Sequence, residues 1–226
     1  MKLKIFTIVV LMILSNITLL GQKTIEVFGG GSYNHLFERG ELEGHYWSEY
    51  KNGNGFVIGG AIEEIRTDWI KWRFTFHFEK YNGEFTNSDG GMGGNYTTTA
   101  IFDKSTIVLG LYPLNIKATK NLCINFGIVL SRMVDENLEG TNYGWVMNRG
   151  AWSYPLDNSK RYSNRGMIGF QTRIAYQIKL SENLALLPQY HFYYGMSKEF
   201  KVSEARTMRH YFNIGISKTI NTKKEL

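Results

Sequence analysis

From Ile70 to Glu79 the chain alternates without a break. Ile70, Trp72, Phe74, Phe76 and Phe78 are large and apolar, and Lys71, Arg73, Thr75, His77 and Glu79 between them are polar or charged. Successive side chains of a β-strand point to opposite faces, so WIKWRFTFHFEKY is predicted to be a strand with one apolar and one polar row. Such a strand fits two kinds of fold. In a soluble sheet the apolar row turns inward to a core. In a membrane barrel it turns outward to lipid, and the polar row fills the interior. Which row meets water decides what the chain is.

The same alternation recurs along the sequence. Eight segments are predicted as strands: 23–34, 55–65, 69–82, 98–113, 121–133, 165–180, 183–198 and 207–220. Each is around or above the length a tilted strand needs to cross the hydrocarbon of a bilayer, about 9–11 residues. The connections alternate in length. Those at 35–54, 83–97 and 134–164 are long and 199–206 is moderate, whereas 66–68, 114–120 and 181–182 are short. An even number of strands, with long loops at one end and tight turns at the other, is the layout of outer-membrane barrels. No helical period, internal repeat or interdomain linker interrupts it.

The row opposite the apolar one settles the orientation. The apolar rows include Leu122, Ile124, Phe126, Ile128 and Leu130, then Ile168, Phe170, Ile174, Tyr176, Ile178 and Leu180, then Phe212, Ile214, Ile216 and Ile220. The opposite rows hold Asn125, Gln171, Arg173, Gln177, Gln189, His191, Tyr211 and Asn213, with a glycine in almost every strand. An eight-stranded barrel is just wide enough inside for side chains, so the row with glycines belongs on the concave side. Turning the charged row into an apolar core would cost several kcal/mol per unpaired ion. The phenylalanines are therefore expected to face lipid. The fold class is all-β: an eight-stranded antiparallel up-and-down transmembrane β-barrel.

The N-terminus agrees. In MKLKIFTIVVLMILSNITLLGQ, Lys2 and Lys4 precede an apolar run from Ile5 to Leu20, which predicts a secretory signal peptide over 1–21 and a barrel domain over 22–226. The lone Cys123 excludes an internal disulfide framework. The formal charge of +6 falls to +4 once the two N-terminal lysines are removed, and it is scattered, so no nucleic-acid footprint exists.

With these rows in place the chain resembles the small OmpA/OmpX-like outer-membrane barrels of Gram-negative bacteria. It is similar more specifically to the PorT-like barrels of Bacteroidetes. The stretches STIVLGLYPLNIK, NLCINFGIVLSR and RGMIGFQTRIAYQIKLSENLALLPQYHFYYGMSKEF carry the likeness, together with a signal ending in GQ and RHYFNIGISKTI near the end. The resemblance implies residence in the cell outer membrane and raises participation in protein secretion. Two features depart from the pattern. The last strand stops near Ile220, before the polar tail NTKKEL, and Pro188 falls inside the seventh strand, where a bulge is expected.

The polar row supplies the first candidate site: Glu26, Glu63, Lys71, Arg73, His77, Glu79, Arg173, His191 and Arg209. Ions in so narrow a lumen must be paired to persist, which favours a structural plug of salt bridges over an ion path or a buried acid/base site. The second candidate is the set of loop aromatics Trp47, Tyr143, Trp145, Trp152 and Tyr154. They suit docking of a protein or glycan partner, or packing at the interfacial aromatic girdle. No catalytic residue, cofactor or metal is expected. The five histidines show no ligand spacing, and no serine matches His191 on its strand. The expected role is structural or interactive, in a monomer surrounded by outer-membrane lipid. A narrow pore, a lipid-modifying enzyme, a secretion-associated component and a soluble lipocalin-like carrier are the alternatives.

Overall fold

The computed structural model describes residues 22–38, 46–65, 71–157, 162–201 and 203–220. The predicted signal peptide, the turn with Thr67 and Asp68, and Ile70 lie outside them. Among the described residues eleven strands form one antiparallel sheet: β1 (Gln22–Phe37), β2 (Tyr46–Lys51), β3 (Gly53–Ile65), β4 (Lys71–Gly91), β5 (Gly94–Lys117), β6 (Leu122–Val146), β7 (Gly150–Pro155), β8 (Gly166–Tyr176), β9 (Ile178–Lys179), β10 (Leu184–Gly195) and β11 (Arg206–Ile220). The ring runs β1–β3–β4–β5–β6–β8–β10–β11 and closes where β11 pairs with β1 over Lys23–Ile220 to Phe37–Arg206. All eight predicted strands are in this ring. Closure leaves no open edge at the level of the membrane.

The two rows point as the sequence predicts. Phe76, Ile58, Phe170 and Ile214 are exposed on the convex side, Ile214 by 63%, whereas Arg209 on the neighbouring inward row is 1% exposed. Glycines make room inside. The ring of Tyr112 lies where a Cβ on Gly127 would sit, and that of Tyr193 does the same over Gly169. A larger residue at either place would displace an aromatic from the lumen.

Three predicted loops contain strands. β4 and β5 run on past the apolar band to a turn at Met92–Gly93, and β6 continues to Val146 and folds back as β7. On the convex face the apolar row of β4 ends at an ion pair, Lys80 to Asp103 at 2.8 Å, and beyond it β4 continues for about 35 Å of strand. β2 joins the edge of this extension against β4, giving a wall in the order β2–β4–β5–β6–β7 above one side of the barrel. Its polar residues read as loop by composition, yet they still alternate. Thr97, Thr99, Thr141, Tyr143 and Trp145 are β-branched or aromatic and suit a strand.

Pro188 also behaves differently from expectation. β10 passes through it without a register shift, and the interruption falls on the neighbour instead, between β8 and β9 at Gln177. The missing N–H of Pro188 thus costs one stretch of ladder with no extra residue. A bulge does occur in β5 between Leu111 and Leu114, at Pro113.

Candidate functional site: a sealed lumen beneath an aromatic wall

The lumen is stacked in layers. At the end with tight turns, Glu26 is the centre of a buried cluster: its Oε2 accepts from Arg73 Nη1 at 2.8 Å and Arg173 Nη2 at 3.1 Å, and its Oε1 accepts from Gln189 Nε2 at 2.8 Å. Arg173 also donates to Gln189 Oε1 at 2.6 Å and Asn125 Oδ1 at 2.8 Å. One carboxylate thus orients two guanidinium groups, Arg73 through one nitrogen and Arg173 with all three of its nitrogens engaged.

A ring of aromatics lies next. Phe28 contacts His77 and His191 at centroid distances of 5.9 and 6.0 Å, and Tyr211 contacts the same two rings at 6.3 and 6.2 Å. Val57, Ala61, Val108 and Val129 complete an apolar belt around Phe28 and Tyr211. Above it is a second ionic cluster. Glu79 binds Arg209 and accepts from Tyr211 at 2.7 Å and Thr106 at 2.8 Å, while Arg209 donates to Tyr81 at 3.0 Å and stacks on its ring at 4.0 Å.

The long-loop end is capped. The segment before β11 turns inward, and its Glu199 accepts from Lys104 Nζ at 2.9 Å and Tyr81 Oη at 2.7 Å. Phe200 packs against Phe85 and Phe102, with Leu36, Leu138 and Leu156 around them. Backbone bonds from Asn164 to Glu199 and from Lys201 to Tyr162 tie the neighbouring loop to it. Burial opposes the charged form of Glu199, but Lys104 and Arg209 beside it outweigh this and hold its carboxyl below the ordinary value. Burial and a hydrogen bond to Glu38 push the Tyr50 phenol well above its usual range.

Of the predicted lumen residues, Glu26, Arg73, His77, Glu79, Arg173, His191 and Arg209 are all buried on the inner face. Glu63 faces inward at the tight-turn end, opposite Arg73 in the β3–β4 register. The side chain of Lys71 lies outside the described residues. They form two clusters with an aromatic belt between them, and two members were missed. Lys104 was visible in principle, because Phe102, Lys104, Thr106 and Val108 keep the inward parity of β5. Glu199 sits in a loop, where alternation carries no signal.

The loop aromatics do not form one patch. Trp47, Tyr143 and Trp145 lie on the outer face of the wall, each 43–50% exposed. Trp152 and Tyr154 lie on the opposite, lumen-side face, stacked on each other at 4.9 Å with Tyr96 at 5.7 Å from Trp152. Trp152 occupies the space above Gly144. His35 pairs with Asn52, His210 with Tyr190 and His191 with Gln189, none of them a serine. Among the described residues no group of three His, Cys, Asp or Glu side chains is placed to hold a metal.

An apolar exterior around a charged interior that packed side chains block midway defines a transmembrane β-barrel of the small outer-membrane type. Among solved structures the chain is similar to Neisserial surface protein A, with 12% identity over 88% of this chain and 97% of that one and a TM-score of 0.40. OprG of Pseudomonas aeruginosa matches at 11% identity over 89% and 97%, with a TM-score of 0.37. Ail of Yersinia pestis, in complex with the heparin analogue sucrose octasulfate, matches at 10% over 88% and 99%, with a TM-score of 0.35. No protein-family model matches the sequence, and no curated protein does.

Proposed function

We propose that the protein is a monomeric, non-catalytic docking module of the outer membrane. The sealed barrel anchors a stiff β-wall outside the cell, and the wall's aromatic face engages a protein or glycan. The observation that carries this reading is the continuation of β4, β5 and β6 beyond the apolar band, with β2 and β7 added to them. A sheet holds Trp47, Tyr143 and Trp145 at fixed positions, so little ordering entropy is lost on binding. Aromatic anchors of this kind dominate recognition surfaces. The PorT-like affiliation, and with it a part in secretion, is supported by the sequence patterns alone. A pore is disfavoured by the aromatic belt and the two ionic clusters, which leave the lumen packed.

The test is capture by the purified barrel in nanodiscs, on a glycan array and from surface-protein extracts of neighbouring cells. The same barrel with its hairpins cut back to short turns, in place of residues 84–101 and 137–157, is the control. A ligand bound by the full wall and lost with the hairpins, while the shortened barrel still folds, supports docking. A ligand that binds both forms equally refutes it.

A further inference from the structure

Among the described residues the tight-turn end of the barrel holds a cavity, whereas the long-loop end is capped. Below the Glu26 cluster lies a cavity of about 190 Å³. Its floor is made by Arg73 and Arg173, its walls carry the hydroxyls of Thr24, Ser217 and Thr219, and Lys117 and Lys120 stand at its mouth. The mouth continues into a bay on the rim, where Lys117 and Lys120 are joined by Lys179, Tyr176 and Ile178. We propose that this periplasmic vestibule is a binding site for a phosphate-bearing anion.

Three features point to an anion. The first is charge: among the described residues that line the cavity, four are cations, Arg73, Arg173, Lys117 and Lys120, and two are carboxylates, Glu26 and Glu63, an excess of two positive charges. Glu26 is already committed to the two arginines and Gln189. The second is an unspent donor set. Arg73 is 2% exposed and lines the floor; its Nη1 is engaged by Glu26, and its Nε and Nη2 make no hydrogen bond but are themselves closed to solvent, so an anion reaches them only once the side chains around them shift. An Arg fork beside hydroxyl donors matches the oxygens of a phosphate. The third is the gradient from exposed lysines at the mouth to buried arginines at the floor, which concentrates anions by focusing the field in a low-dielectric funnel.

The volume admits a phosphate group but no acyl chain. Two sources share this chemistry: a soluble phosphate, and the headgroup of an anionic phospholipid of the inner leaflet. A lipid would place its headgroup over the mouth while its chains ran down the convex face past Tyr176 and Ile178, both exposed there.

Cys123 lines the same cavity and is the only cysteine in the chain, so it reports on the site directly. The folded protein in neutral detergent would be treated with an anionic sulfonatoethyl methanethiosulfonate and with its cationic trimethylammonium analogue. Each rate is divided by that for free cysteine. The site predicts a preference for the anionic reagent of about tenfold or more. Inorganic phosphate should slow the reaction, and Lys117→Gln with Lys120→Gln should abolish the preference while the barrel stays folded. Equal normalised rates overturn the site, as does a Cys123 that neither reagent reaches until the protein is unfolded. Nanodiscs separate the sources. Protection by phosphatidylglycerol relative to phosphatidylcholine, without added phosphate, assigns the headgroup. Protection by added phosphate alone, in either lipid, assigns the soluble anion. Protection by neither refutes the proposal.

Discussion

Lys104 donates to Glu199 across 2.9 Å, and each side chain is about 1% exposed. This pair joins the barrel wall to the segment that caps the lumen, and Lys104 also lies 3.9 Å from the ring of Phe200, the next residue along. A cation removed here leaves a buried carboxylate with Arg209 Nη2, at 3.5 Å, as its one remaining ionic partner among the described residues. Lys104→Met should therefore destabilise the folded barrel by about 3–5 kcal/mol. Urea titration in micelles reads the loss. Adding Glu199→Leu to the same chain should recover part of it, and strict additivity of the two changes would contradict the pairing.

The same pair predicts a pH response. The folded-state pKa of Glu199 is depressed below its ordinary 4.5, so its contribution to stability is fully present above the unfolded value. It is lost as pH falls through the folded value. The unfolding midpoint should lose nothing from this residue between pH 8 and pH 5, then drop faster below about pH 4 in the native chain than in Glu199→Gln. Parallel curves for the two proteins would show that Glu199 is not held in ionised form.

The apolar exterior makes a separate prediction about position. Phe76 is 56% exposed in the middle of the apolar row of β4, and Phe76→Arg should cost about 2–4 kcal/mol in lipid vesicles. Thr97→Arg lies on the outer face of the wall, above the Lys80–Asp103 pair, and should change stability by less than about 0.5 kcal/mol. Equal effects at the two sites would place the bilayer elsewhere.

A lumen closed by Phe28, Tyr211, His77 and His191 should not conduct. Purified protein inserted into planar bilayers is expected to give no discrete current steps in 1 M salt, a condition of about 3 Å screening length in which electrostatic barriers fade and only packing blocks ions. Reproducible steps from the native chain would mean that the belt opens.

How far the sequence carries the structure depends on what each residue's partner is. Phe74, Phe76 and Phe78 face lipid, a uniform partner, so alternation with Arg73, His77 and Glu79 is enough to predict both rows and the ring. The wall was missed because its partner is water on much of both faces. Ser88 and Thr97 satisfy a strand without an apolar row and resemble a loop in composition. The capping contact of Glu199 and Phe200 depends on a turn that brings them back to Lys104, 95 residues earlier. No local pattern encodes that meeting. Trp145 and Trp152 were grouped as one set by proximity in sequence, and the β6–β7 hairpin places them on opposite faces.

The most direct measurement is heat-modifiability of the native protein. The outer-membrane fraction would be extracted in detergent, and unboiled and boiled samples compared on an SDS gel. A closed transmembrane barrel resists SDS until heated, so the unboiled form should run at a different apparent mass and should be absent from the soluble fraction. Recovery of the protein in the soluble fraction without detergent, with no shift on boiling, would mean that Phe74, Phe76 and Phe78 face a protein core and that the membrane-barrel account is wrong.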